Sequence, residues 1–251
     1  MVVIKCVTVI LYRFYEGGKT MFFPFPNFDQ LYLLLILPAL LISVIAQSAV
    51  NRTYKKYAKI SVNTAGSAAA AARSILNRHG LDNVPVQRIG GRLTDHYDPR
   101  SKTLCLSHSV HDSNSIAALG VAAHEVAHAL QHREGYFPLR IRNSVAPLVN
   151  IVSTLAVPLF LFGIALSTLN LVYIGIVAFS LVVAFQLITL PVEVNASHRA
   201  LSLLQSGDFV TGQEAAGSKK VLRAAAFTYV ASTLMSIVVF LRFLLLTPRR
   251  N

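Results

Sequence analysis

Charge is what this chain has least of. Asp, Glu, Lys and Arg make up 14% of its 251 residues and hydrophobic residues 54%, where a soluble domain carries about 25% charged residues. A water-soluble surface over the whole length is thereby excluded, and a bilayer is implied. The shortage is one-sided, with 11 acidic against 23 basic residues and a net charge of +12. A basic excess suits nucleic acid or an anionic membrane surface. No RNA- or DNA-binding motif occurs and no basic stretch is interleaved with aromatics, so the expected partner is the lipid bilayer and not nucleic acid. Two cysteines, Cys6 and Cys105, cannot build a disulfide framework and form no metal knuckle, which fits a reducing compartment. No small-residue cleavage site follows the first apolar run, so no signal peptide is read there. Internal repeats and low-complexity tracts are also missing.

The long apolar runs are what the chain has in their place. Residues 31–50 supply about 20 apolar positions, close to the roughly 30 Å of hydrocarbon at 1.5 Å per residue. Three further runs, 145–166, 171–190 and 226–246, bring the expected spans to four. The second and third form a helical hairpin across 145–190, with Pro191 expected to stop the third span. Residues 191–225 then read as a helix (192–205) and a polar loop (207–217), and 247–251 as a basic tail. Residues 1–30 read as an N-terminal extension, of which the first 20 lie upstream of the cleaner start at Met21.

The polar segment 51–144 has an α+β pattern. An Ala-rich helix over 64–79 is closed by Gly80, and 84–91 is short and β-prone. Residues 93–97 and 102–107 flank Asp98-Pro99-Arg100-Ser101, which has the residues of a type I turn, so a β-hairpin is expected. The segment holds thirteen Lys/Arg against six Asp/Glu, clustered after the first span and before the second. By the positive-inside rule it faces the cytoplasm, and the protein belongs in the plasma (inner) membrane.

Inside this segment stands His124-Glu125-Val126-Ala127-His128. Residues i and i+4 of an α-helix share a face, so both imidazoles can address one ion. Zinc accepts neutral imidazole nitrogens, and a catalytic zinc keeps one position open for water. Glu125 is placed to take a proton from that water. The helical context fits, with a start cluster at Asp112-Ser113-Asn114-Ser115, an apolar stripe of Ile116, Leu119, Ala123, Ala127 and Leu130, and a stop at Gly135. A third protein ligand is needed. Only Glu193, Asp208 and Glu214 are acidic beyond residue 134. Glu193, at the start of a helix on a membrane boundary, is the best placed. Its ordinary alternative role is a carboxylate favoured by the helix dipole.

Four stretches resemble the YugP-like membrane zinc metallopeptidases: Leu93-Thr94-Asp95-His96-Tyr97-Asp98-Pro99, His124 to His132, Thr189-Leu190-Pro191-Val192-Glu193 with Ala196-Ser197, and Ala224 to Ala231. The chain is more distantly similar to the HtpX and CAAX-prenyl-protease type. There the third ligand lies in an E-x-x-A-D motif, which Glu193-Val194-Asn195-Ala196 follows and Ser197 departs from. The resemblance implies one Zn²⁺ on His124, His128 and Glu193, with Ser197 left to donate a hydrogen bond from the same helical face. His96, Tyr229 and Arg199 are candidates for substrate or transition-state contacts. His132 lies in line with the pentad and cannot complete a tetrahedron from the same straight helix. Gln131 reads as a hydrogen-bonding neighbour, and His108 and His111 as loop residues.

The expected protein is thus an α-helical integral membrane protein with four transmembrane helices and a small α+β zincin-like catalytic segment. It would hydrolyse protein or peptide substrates, membrane proteins among them. A peptidase with its pentad inside the bilayer is disfavoured because no L-D-G-like aspartate follows in an apolar span. A transporter is disfavoured because Arg242 is the one ionisable residue within the spans. A catalytically silent metal-binding scaffold or adaptor is the alternative from another functional class.

Overall fold

The computed structural model describes residues 30–62, 66–91 and 93–247. Nearly all of the expected N-terminal extension and the basic tail lie outside them. The elements in chain order are α1 (Gln30–Tyr57), α2 (Ala68–Arg78), β1 (Val86–Ile89), β2 (His96–Asp98), β3 (Thr103–Ser107), α3 (His108–His111), α4 (Ile116–Arg133), α5 (Phe137–Ala165), α6 (Leu169–Ser206) and α7 (Gly212–Leu246). Helices α1, α5, α6 and α7 are long and apolar enough to cross a membrane. Contacts divide the described residues into two units, one of 30–44, 142–188 and 230–247, the other of those within 45–141 and 189–229.

The first unit is built from apolar helix. A Cβ on Gly163 would lie 2.6 Å from Val172 N, and one on Gly175 would lie 2.7 Å from Phe160 N. Only glycine lets α5 and α6 run this close, as small residues do between helices in membranes. Phe160 stacks on Phe243 at 3.9 Å. The α5–α6 turn closes with Ser167 in the left-handed region and Thr168 N–H on Gly163 O. Leu34, Ile151, Val177 and Leu245 stand exposed, an arrangement suited to lipid and unfavourable in water.

The second unit carries the three-stranded sheet, in the order β1-β3-β2, with β3 central and wholly buried. The β2–β3 hairpin forms in the expected place, pairing Asp98 with Thr103. Its tip is shaped by Asp98, whose carboxylate accepts from Arg100 N–H, Ser101 N–H and Ser101 Oγ–H. These bonds hold the Asp98 carboxyl below its ordinary pKa. β1 is a parallel partner of β3, Val86 opposite Leu104, a pairing between residues far apart that no local pattern announces.

Helix α4 is the core of this unit. Ser115 caps it by accepting from Ala118 N–H, and Gly135 follows its end in the left-handed conformation expected of a stop. Its start is also tied to the chain before α2, through Ile116 N–H on Ile60 O and Val62 N–H on Asn114 O. Ala117, Ala118, Ala122, Ala123, Ala127 and Ala129 are all buried on it. Alanine favours the helix and leaves neighbouring elements free to approach closely.

Three expectations need correction. Pro191 does not end a helix, because α6 runs through it to Ser206. A proline forfeits one ladder bond; breaking the helix in an apolar setting would strand several more backbone groups. The same holds for Pro38 in α1 and for Pro147 and Pro158 in α5. The polar loop expected over 207–217 is shorter, since α7 already begins at Gly212. There the amide and hydroxyl of Thr211 both donate to Glu214 and fix the first turn. Finally, His108 and His111 lie in the one-turn helix α3 and not in a loop.

Candidate metal centre

His124 and His128 project from one face of α4, their rings 4.8 Å apart and nearly perpendicular. Glu193 comes to them from α6. Its Oε2 lies 3.2 Å from His124 Nε2 and 3.6 Å from His128 Nε2. One donor atom from each residue falls within 4.8 Å of the others. Zinc bonds of 2.0–2.1 Å give a tetrahedron with edges of about 3.3 Å. The two carboxylate contacts are close to that length, and the chemistry of two imidazoles and a carboxylate fits zinc.

The protons around His128 can be assigned. Gln131 is fully buried, and its Nε2 donates to Val192 O at 3.0 Å and to Asn195 Oδ1 at 2.8 Å. The backbone carbonyl can only accept, so the orientation of the amide is fixed. Gln131 Oε1 therefore faces His128 Nδ1, at 3.0 Å, and the ring nitrogen must donate. In the neutral imidazole Nε2 then carries a lone pair and no proton. It faces a carboxylate oxygen, itself an acceptor. Two acceptors turned toward each other in a buried place call for a cation between them, either a proton or a metal ion. Glu193 is 1% exposed, so water is not there to screen it. Gln131 also joins α4 to α6 at the place where their functional side chains meet.

Glu125 has a partner of its own. It is partly exposed, and its Oε2 accepts from Tyr97 N–H at 3.0 Å. β2 is an edge strand of the sheet, so a backbone amide at the sheet edge holds this carboxylate. Tyr97 also engages α4 through its side chain, with the phenol 2.9 Å from His132 Nδ1. Burial, and then the charge of Asp98, push the Tyr97 phenol above its ordinary pKa. It keeps its proton and shares a hydrogen bond with the His132 ring nitrogen.

The remaining sequence candidates divide. Ser197 is buried beside the cluster, with its Oγ 3.5 Å from His124 Nδ1. His96 is exposed and bonds Thr94 O, and Arg199 pairs with Glu134 at 2.5 Å, so these two are engaged away from the three donors. Tyr229 is partly buried on α7. Of the other late acids, Glu214 caps α7 and Asp208 sits exposed in the turn before it. Sequence reasoning missed Asn195, whose partner is on another helix, and the Tyr97 amide, which has no letter of its own.

Comparison with known proteins agrees with this chemistry. Residues 32–248 match the model of a family described as "Putative neutral zinc metallopeptidase". The chain is 46% identical over 217 residues to the "Putative membrane protease YugP" of Bacillus subtilis (strain 168), covering 86% of this chain and 96% of that protein. No solved structure matches.

Proposed function

The chain belongs to this neutral zinc metallopeptidase family, and on that premise we propose that it is a membrane-embedded zinc-dependent endopeptidase. The observation that carries the reading is the convergence of His124 Nε2, His128 Nε2 and Glu193 Oε2, with the carboxylate oxygen 3.2 and 3.6 Å from the two ring nitrogens. These three atoms would hold the ion, with Gln131 fixing the tautomer of one imidazole and joining the two helices that bring the ligands. When bound, zinc supplies a Lewis acid that lowers the pKa of water and polarises a peptide carbonyl. Glu125 takes the proton of the attacking water and returns it to the leaving amine. The Tyr97 amide holds one oxygen of that carboxylate and leaves the other to reach the water. β2, as an edge strand next to Glu125, suits a peptide lying extended along it. The second unit is accordingly read as a zincin-like segment.

The test is metal removal from the purified full-length protein. Chelation should abolish cleavage of an unstructured polypeptide, and stoichiometric zinc should restore it. Cleavage that persists in protein shown by metal analysis to be metal-free would overturn the proposal. Zinc-loaded protein without cleavage across a broad peptide library would instead favour the silent scaffold.

The basic flanks of 51–144 support a cytoplasmic site in the plasma membrane. Cysteines placed at Ser101 and at Thr168, in a Cys6→Ser background with Cys105 buried, should label from opposite sides of intact cells. Labelling of Ser101→Cys by an impermeant external reagent would reverse the topology.

A further inference from the structure

Helices α6 and α7 form an open cavity of about 240 Å³ whose lining the proposed reaction does not use. Val194, Ser197, His198 and Leu201 face it from α6 at helical spacing, and Lys219 and Arg223 face it from α7 one turn apart. Among the described residues no acidic side chain lines it, and Lys219 and Arg223 make no ion pair or hydrogen bond. The cavity is therefore positive and has no internal counter-charge.

Two features say what neutralises it. Along α7, Arg223 is the last charge before the apolar run that begins at Ala224, and Ala226 of that run is part of the lining. Along α6, Val194 lies three residues beyond Pro191, where the apolar run of that helix closes. Both walls thus belong to stretches that adjoin a span in the chain. The volume is below the roughly 300–1,000 Å³ that encloses a drug-sized ligand, so it admits a headgroup and not a whole lipid. Val194 in its lining is an exposed apolar residue, suited to contact with an acyl chain running outward. Basic pockets between membrane helices take anionic headgroups in this way.

We infer that this cavity binds the phosphate headgroup of an acidic phospholipid. The inference does not depend on the peptidase reading, although Ser197 lies both in the lining and beside His124.

Native mass spectrometry of the full-length protein in mixed micelles of phosphatidylglycerol and phosphatidylcholine tests it. The wild type should retain phosphatidylglycerol preferentially. A Lys219→Gln/Arg223→Gln double variant should lose that preference about tenfold. Lys55→Gln/Lys56→Gln, the same charge change at the exposed end of α1, should keep it. Both pairs are on exposed positions, and an unchanged melting temperature certifies the fold. Undiminished preference in the Lys219/Arg223 variant, or equal loss in both variants, would overturn the site. Binding of inorganic phosphate in phosphatidylcholine micelles that added phosphatidylglycerol does not reverse would make it a phosphate site. Displacement by an acidic peptide would assign the cavity to a protein partner. Either result refutes the lipid assignment.

Discussion

Replacing Glu125 by glutamine is expected to lower peptide hydrolysis about 10³-fold while leaving zinc content and fold unchanged. The amide has the shape of the carboxylate, and its Oε1 can still accept the Tyr97 N–H that holds Glu125 at 3.0 Å. What the amide cannot do is accept a proton from water near neutral pH. The loss should therefore fall on kcat, with peptide affinity little altered. The variant also serves to trap substrates, since it would bind without cutting. Cleavage by zinc-loaded Glu125→Gln at more than a tenth of the wild-type rate would remove Glu125 from the mechanism.

The second large effect is expected at Glu193. Changing it to alanine removes the one carboxylate that meets the two imidazoles, and zinc affinity should fall at least 100-fold. Glu193→Gln, which preserves volume in a site that is 1% exposed, guards against a loss that merely reports misfolding. It too should bind zinc poorly, because a neutral amide is a weak partner for the ion. Gln131→Leu should do less, about 10–100-fold, the range for residues that orient a ligand without touching metal. Its effect runs through His128, whose Nδ1 loses the acceptor that keeps Nε2 bare. Asp208→Ala and Glu214→Ala should leave zinc binding as it is. Equilibrium dialysis on detergent-purified protein ranks all five. Full zinc retention in folded Glu193→Gln and Glu193→Ala would refute the ligand assignment.

The parts legible in the sequence were those in which local chemistry decides the outcome. The pentad helix has its cap at Ser115 and its stop at Gly135, both local signals, and the hairpin was announced by the side chain of Asp98 within its own turn. The four spans followed from apolar length. That Glu193 meets His124 and His128 was reachable because acids are so scarce late in the chain. The parallel pairing of β1 with β3 was not legible, since it joins residues with a hairpin between them. The course of α6 through Pro191 went against a sound local rule, which the surrounding helix outweighed. The contact of Glu125 with the Tyr97 amide depends on where a strand edge lies, and side-chain letters do not record that.

The separation of the donors along the chain has a consequence for biosynthesis. His124 and Glu193 are 69 residues apart, and the whole of α5 and most of α6 lie between them. At roughly 5–20 residues per second, the histidines leave the ribosome seconds before the carboxylate is made. With Glu193 as the third donor, a nascent chain has two imidazoles and no complete metal cradle until the α5–α6 hairpin has been threaded. Under the proposed function, the order of translation would leave the site incomplete until most of the long apolar helices have been made.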